Sequence, residues 1–468
     1  MKKSTTLFLF LFQFLLASFA TTIYVPSDYP TIQDAINNAF EGDIILVEPG
    51  TYSGEGNYNI TFYGKQLELR SEQGAENTII DCQGLGRAFE FNSGEVNTSV
   101  LDGFTITNGY VDNQMGVGIK CMFSSPTIEN CIFEGFDIGW GSILYFTNNT
   151  SPVRDCEFTN NNISQGGRIV YYDNSWEIIF ENNVFSNNSL YETAELLYLV
   201  NTDILINECD FFGDNVAYTG IKLWNNASAD IVNCMIKDFI QYGIYCSYLS
   251  YAGANNCILM NNGFAGIAAY EGGQIQSFSS TIIHNYIGVY AENGFTSVFS
   301  SILFYNTYFQ LYTELVNTHL VYARNSNIQD GINGTYGNVT WYDDNIETDP
   351  QFINPLGESI YDFYLNISSP CINEGDPETD YPGIDILGNP RVYNGIRDMG
   401  AIEYQGNILD LYVTSENSEI CEGETNQLNA YVMGGSGSYT YSWTSTPEGF
   451  ESSEQNPLVG LRLPQLII

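Results

Sequence analysis

The apolar positions along this chain change rhythm once, near its start. Ile32, Ala35, Ile36 and Ala39 fall at i, i+3, i+4 and i+7. That spacing predicts one short amphipathic helix, with Thr31 or Asp28 as its cap. Gly42 to Tyr52 then reads as a strand, Asp43-Ile44-Ile45-Leu46-Val47, closed by the turn Pro49-Gly50. From there to about Gln405 the pattern stays in short strands, and no second amphipathic helix is visible.

Within that stretch one phrase recurs: a polar residue, then a Cys or another small residue, then apolar residues. It occurs at Asn130-Cys131-Ile132-Phe133, Asp155-Cys156-Glu157-Phe158, Asn182-Asn183-Val184-Phe185, Glu208-Cys209-Asp210-Phe211, Asn233-Cys234-Met235-Ile236, Asn256-Cys257-Ile258-Leu259, Ser280-Thr281-Ile282-Ile283 and Ser300-Ser301-Ile302-Leu303. Counted at the second residue, the steps are 25, 27, 26, 25, 23, 24 and 20. A second phrase keeps the same time: Gly118-Ile119, Gly220-Ile221, Gly243-Ile244, Gly266-Ile267 and Gly288-Val289. A repeat of this length is a solenoid, and leucine-rich repeats are excluded because neither their Leu/Asn frame nor a helical return is present. Two strand signals per repeat fit coils that give one strand each to two or three parallel sheets. Successive coils lie ~4.8 Å apart, so like residues stack on like: Asn at turns, aliphatic and aromatic residues inside. The helix near Ile32 is expected to cap the raw sheet edge at the start of the stack.

Composition narrows the partners. With 14 Lys+Arg against 55 Asp+Glu the formal charge is −41, which repels nucleic acid and anionic lipid. Hydrophobic residues at 44% supply a core, so the acidity is read as a solvated surface. Lys2 and Lys3, the apolar run Leu7–Leu16 and Ala17-Ser18-Phe19-Ala20 form a signal peptide, residues 1–20, with cleavage after Ala20. No later run is long enough to span a membrane, so the mature chain is expected to be secreted or held at a bacterial cell surface.

Three segments carry a family resemblance: Tyr29–Tyr52, Ile79-Ile80-Asp81-Cys82-Gln83-Gly84 and Gly103-Phe104-Thr105-Ile106-Thr107-Asn108-Gly109. They resemble the pectate-lyase-like right-handed parallel β-helix superfamily, in particular its exported bacterial members of undefined role. The resemblance covers roughly residues 21–405 and implies an all-β, right-handed parallel β-helix with an N-terminal cap. Asp349-Pro350-Gln351-Phe352, Ser369–Asp376, Asp385–Arg391 and Asp398–Tyr404 resemble the segment that finishes the helix near its C-terminal end in such proteins. Residues 406–468, with Ile420-Cys421-Glu422, the Gly434–Ser438 turn and Tyr439-Thr440-Tyr441-Ser442-Trp443, resemble a PKD-like, immunoglobulin-like module. At about 60 residues this is short of the roughly 80 to 100 a sandwich needs, and Gly460–Ile468 abandons the alternation, so the module is read as truncated.

The chemistry that the resemblance would imply is not matched. Pectate lyases of this fold use carboxylate-held Ca²⁺ and an Arg or Lys base, but Lys120, Arg154, Arg168 and Lys222 stand singly in the sequence. Polygalacturonase-like hydrolases need several aspartates on one face with His and Arg-x-Lys nearby. Asn201-Thr202-Asp203 copies one such motif, yet Asp343-Asp344 lies coils away, His284 and His319 have the wrong neighbours and no Arg-x-Lys occurs. Asp203 is therefore set aside as a chance match.

Three features remain. Cys131, Cys156, Cys209, Cys234 and Cys257 share one coil position and no C-x-x-C pair exists, so they are read as a buried thiol ladder rather than a zinc site or disulfides. In Gly220–Trp224, alternation that buries Ile221 and Leu223 turns Lys222 and Trp224 outward, and the same parity turns out Tyr245, Tyr270 and Tyr290. Those five are the candidate carbohydrate-binding residues, on the expectation that sugar rings stack on flat aromatic faces. Asp376, Glu378, Asp380 and Asp385 form an acidic loop with oxygens suited to Ca²⁺, though without an EF-hand frame. The functional expectation is a non-catalytic β-helix that binds an extracellular polysaccharide or mediates surface contact. The alternative is a polysaccharide lyase or glycoside hydrolase acting on an extracellular polysaccharide, with uronate-containing polymers among the candidates.

Overall fold

The computed structural model describes residues 20–112, 114–191, 193–314, 321–377, 383–393, 395–406, 410–415, 424–433, 439–446 and 449–460. Two units are separable: one runs to Leu205 with Val216–Tyr218, and the other comprises Ile206–Asn215 and Thr219 onward. The signal segment up to Phe19, together with His319 and Cys421, lies outside the described residues.

The first unit opens with the strand Thr22–Val25, parallel to Ile44–Val47. The helix Ile32–Asn38 packs on both, burying Ile32, Ala35 and Ile36, as the stripe predicts. Thr31 is its cap, accepting the Asp34 amide, and Lys65 from the next coil donates to the carbonyls of Ile36, Asn37 and Ala39 at its end. Three parallel sheets then take a strand from successive coils, and three coils add a fourth short strand, Asp137–Ile138, Asn162–Ile163 and Ser189–Leu190, in a small parallel sheet of their own. Sheet A takes Glu68–Ser71, Val100–Asp102, Thr127–Glu129, Val153–Arg154 and Ile178–Glu181; sheet B takes Thr105–Thr107, Ile132–Glu134, Glu157–Thr159 and Val184–Ser186; sheet C takes Ile119–Met122, Ser142–Thr147, Arg168–Asp173 and Glu195–Val200.

The second unit repeats the plan. Its sheet B holds Asp210–Phe212, Met235–Lys237, Ile258–Met260, Thr281–Ile283 and Ile302–Phe304, and its sheet C holds Thr219–Trp224, Tyr242–Cys246, Ala265–Tyr270, Ile287–Glu292, Phe309–Thr313 and Thr335–Tyr336.

The recurring phrase marks the corner between sheets A and B. Its first residue is left-handed, at φ of 53° in Asn130, 52° in Asp155 and Asn182, 53° in Glu208 and 54° in Asn233. Asn and Asp tolerate that conformation better than other side chains, which explains their recurrence. The second residue is buried and caps a neighbouring coil: the Cys156 amide donates to Asn183 Oδ1, Cys209 to Cys234 Sγ, Cys257 to Ser280 Oγ and Ser280 to Ser301 Oγ. The cysteine column thus continues as serine. Ile258 pairs with Thr281, so Ser280, not Thr281, is the equivalent of Cys257, and the last two steps become 23 and 21.

None of the nine described cysteines is in a disulfide, and all are buried. Burial pushes the thiols of Cys82, Cys121, Cys246 and Cys371 up to about 12. Inside, rings stack from coil to coil, as in Phe133–Phe158–Phe185 at 5.1 and 4.6 Å. Buried amides ladder beside them: Asn262 Nδ2 reaches Asn285 Oδ1 at 2.9 Å and Asn285 Nδ2 reaches Asn306 Oδ1 at 3.0 Å.

The segment after Ile346 departs from the expected end cap. Instead of finishing the helix, it runs back over the outer face of sheet B within the second unit. The Asn256 amide nitrogen donates to the Ile384 carbonyl, the Ala401 amide to Thr281 Oγ1, the Gly400 amide to the Ser300 carbonyl and the Asp376 amide to Ser300 Oγ. Phe352, Phe363, Leu365, Met399 and Ile402 of this strap bury Met235, Ile258, Met260, Ile283, Ile302 and Phe304. The physical reason is that those outward positions of sheet B are apolar and must be covered. From Asp410 the pairing is antiparallel: Asp410–Ser415 and Leu458–Gly460 flank Thr425–Met433, while Trp443–Thr444 pairs with Glu451–Ser452. Trp443, expected in a sandwich core, is half-buried and donates Nε1–H to the Glu454 carbonyl.

Candidate functional site

Sheet C of the second unit carries the aromatic candidates. Register places Lys222 opposite Tyr245, Tyr245 opposite Ala268, Ala268 opposite Tyr290, Tyr290 opposite Tyr312 and Tyr312 opposite Tyr336. Tyr270 is therefore not in the same row; it stands at the end of the Ala268 strand. Its ring leans into the gap that Ala268 leaves, 5.0 Å from Tyr245 and 5.2 Å from Tyr290. The column continues at 5.4 Å to Tyr312 and 4.8 Å to Tyr336. Tyr242 and Phe309 of the same sheet widen it, with Phe264, Tyr286 and Tyr308 from just before its strands.

Two expectations change here. Tyr290 was expected to face solvent, but only 5% of it is exposed, because Phe264, Tyr270 and Tyr312 crowd around it. Flat platforms are also absent from the stack. The planes of Tyr290 and Tyr312 lie within 12° and those of Tyr312 and Tyr336 within 15°, so each ring covers the face of the next. What the column turns outward is ring rims and hydroxyls, most openly at Tyr336 and least at Tyr290.

Burial, opposed by a hydrogen bond from Ser247, pushes Tyr245 up to about 12. Burial likewise raises Tyr270, Tyr290 and Tyr312, and the Glu292 and Glu314 carboxylates add to the rise at Tyr290. The Tyr242 and Tyr270 hydroxyls lie 3.0 Å apart, and Tyr290 donates to Glu292 Oε2 at 3.1 Å. At the opening of the column Lys222 Nζ is 5.6 Å from the Trp224 ring and 5.7 Å from Tyr245, and Trp224 leans on Tyr248 at 4.1 Å.

The first unit has a shorter version on its own sheet C. Lys120, Tyr145 and Tyr171 are partners in register, followed by Tyr198. Arg168 lies 4.5 Å over Tyr198 and 3.4 Å from the buried Glu195 carboxylate. Three of the four basic residues that stand singly in the sequence are paired with carboxylates across coils: Lys120 with Glu90, Arg154 with Glu181 and Arg168 with Glu195.

The acidic loop resolves differently. Glu378 and Asp380 lie outside the described residues. Asp385 is buried and accepts the amides of Leu387, Asn389 and Glu403, while Asp376 is buried 3.6 Å from Arg324. Both carboxylates are already committed to holding the strap, and among the described residues no group of three or more His, Cys, Asp or Glu is placed to hold a metal ion. Asp203, at the exposed head of its strand, belongs to no such group.

A second feature escaped the sequence. Where the strap meets sheet B, a groove of about 460 Å³ is lined by Glu208, Asp210, Asn233, Ile360, Tyr361, Asp385, Ile386, Leu387 and Gly388. Burial lifts the Asp210 carboxyl to about 6, opposed by the nearby Lys237 ammonium. Lys237 also contacts Asp238 at 3.4 Å and lies 5.3 Å from the Phe212 ring. Tyr312 and Tyr336 were missed for a simpler reason: Gln310 replaces the glycine of the second phrase, so that phrase stops at Gly288.

Residues 124–309 match a family model described as a right handed beta helix region. The coils form a right-handed parallel β-helix. No curated protein matches the sequence. Among solved structures the β-helix is similar to pectate lyase Pel9A, at 12% identity over 80% of this chain and 90% of that one, with a TM-score of 0.32. It is also similar to the A-module of the Azotobacter vinelandii mannuronan C-5 epimerase AlgE6, at 12% identity over 68% and 94%, with a TM-score of 0.36. The catalytic domain of a GH87 alpha-1,3-glucanase follows at 13% identity over 69% and 66%, with a TM-score of 0.38. Identities at this level speak to the fold alone.

Proposed function

We propose that this protein, exported through its N-terminal signal segment, recognises an extracellular polysaccharide along sheet C of its second unit. The observation that carries the reading is the column from Tyr245 to Tyr336, whose rings recur every 4.8 to 5.4 Å. A linear polymer of pyranose units laid along the coil axis meets a similar set of rims and hydroxyls at each coil. Such a surface forms many weak hydrogen bonds and C–H contacts with a repeating ligand and few with a compact one. Binding without bond cleavage is the reading this face supports.

Cleavage is a second reading, and the groove at Asp210 favours it. A carboxyl raised to about 6 beside a second carboxylate, Glu208, has the character of a general acid, and Lys237 is close enough to affect it. The two readings separate in one experiment. The full chain is incubated with a panel of soluble polysaccharides, with and without Ca²⁺, while gel retardation reports binding and absorbance of unsaturated ends or reducing-end assays report cleavage. Retardation lost in Tyr270→Ala and kept in Asp210→Asn, with no product, supports the binding site. Product formation abolished by Asp210→Asn supports cleavage, and an absence of retardation and product across the panel overturns both.

A further inference from the structure

The flank of the tyrosine column is acidic, and this bears on which polysaccharide it takes. Glu292 ends the strand that follows Tyr270 in register, and Tyr290 donates its hydroxyl to it at 3.1 Å. Glu314 follows Thr313, the partner of Ala291, so it stands one coil beyond Glu292, with its amide on the Ala291 carbonyl. Glu271 is one residue past Tyr270, its amide bonded to the Glu292 carbonyl, and it stands beside the Tyr248 hydroxyl. Glu271 and Glu314 are exposed and Glu292 is half-buried, so all three can meet a ligand that lies on the tyrosines. Lys222 is the cation that register places on this column, and it is already drawn toward Trp224 and Tyr245.

We infer that the polysaccharide held by this tyrosine column carries amino groups, its ammonium charges meeting Glu271, Glu292 and Glu314 while its rings lie along Tyr270, Tyr312 and Tyr336. The inference rests on the binding reading above and deepens it. A uronate polymer would bring a like charge to each of these carboxylates, on a chain whose formal charge is already −41. A polymer with one ammonium per sugar instead finds a carboxylate at successive coils, at the spacing of the strands themselves. The phenol hydroxyls then act on the sugar hydroxyls and set the lie of the chain, and the carboxylates select its charge.

The test is calorimetric titration of the full chain with three oligosaccharide sets of matched length: glucosamine, N-acetylglucosamine and galacturonate oligomers. At low salt the glucosamine oligomers should bind about tenfold or more tighter than the acetylated ones, and the difference should shrink at high salt. Glu292→Gln with Glu314→Gln should lower glucosamine affinity about tenfold, while Glu157→Gln, a carboxylate of the first unit, should leave it unchanged. Tighter binding of acetylated or galacturonate oligomers, lost in Tyr270→Ala, would overturn the amino-sugar inference and leave the binding reading standing. Failure of all three sets to bind would count against both. Equal losses in the Glu292/Glu314 and Glu157 variants would also overturn the inference.

Discussion

In the second unit the same coils present two outer faces that have met opposite fates. On sheet B the outward rows are Met235, Ile258, Thr281 and Ile302, and Lys237, Met260, Ile283 and Phe304; the chain covers their apolar members with its own strap. On sheet C the outward row is Tyr245, Ala268, Tyr290, Tyr312 and Tyr336, and its last member stays open, Tyr336 at 46% exposed. The first unit supplies a control, because its sheet B turns out the partly exposed Thr107, Glu134 and Ser186, with Glu157 between Ile132 and Val184, which water tolerates. The difference teaches how to read a solenoid. The inward rows differ little between coils, and it is the outward rows that say whether a face is buried by the chain, wetted, or offered to a ligand. Phenols suit the third role because they bear both an apolar body and a hydroxyl.

The largest expected effect tests the covered face. Phe363→Ala removes a side chain that is 1% exposed within the strap cluster and should cost about 3–5 kcal/mol by urea denaturation. A loss below about 1 kcal/mol would mean that the strap only rests on sheet B.

Acidity should act on the same face. The strap holds a buried Arg391 among Asp385, Asp398 and Glu403, and burial lifts Asp398 to about 6 and Glu403 to about 7. A carboxyl whose folded value exceeds its unfolded one binds more protons when folded, so its contribution to stability is fully present below about pH 4 and is lost as the pH rises through 6 to 7. Hydrogen exchange of strap amides, corrected for intrinsic rates, should show the strap opening more readily at pH 7.5 than at pH 5. Greater protection at the higher pH would contradict the assignment.

A subtler consequence concerns the thiols. Cys371 is a buried residue of the strap itself and Cys246 lies inside the coils, both with thiols raised to about 12 by burial. Opening of the strap alone should expose Cys371 first, so pulsed alkylation in mild urea, mapped by mass spectrometry, should label it well before Cys246. Simultaneous labelling would make strap and coils one cooperative unit. At the small end, Tyr336→Ala on the open face should change stability by no more than about 0.5 kcal/mol.

These contrasts also show where the sequence was readable. The coil was legible because its corner demands a left-handed residue, which Asn, Asp and Glu supply at positions such as Asn130, Asp155 and Glu208, and because the column of Cys131 and Cys156 must be small and buried. One register slip, Thr281 for Ser280, followed from the change of Cys to Ser at that corner. The path of the strap was not legible, since Met235 or Ile283 reads as ordinary core until the register shows which face it occupies. Tyr245 and Tyr270 were found by parity, but parity says nothing of ring tilt, so rims were mistaken for faces. The groove at Asp210 joins positions about 150 to 175 residues apart through the strap, beyond the reach of any local pattern.

The most direct test of the account is hydrogen exchange on the full chain with and without a polysaccharide that it retards on a gel. New protection should fall on the sheet C strands from Tyr242–Cys246 to Phe309–Thr313. Protection confined to the strap and the strand Asp210–Phe212, with sheet C unchanged, would contradict it.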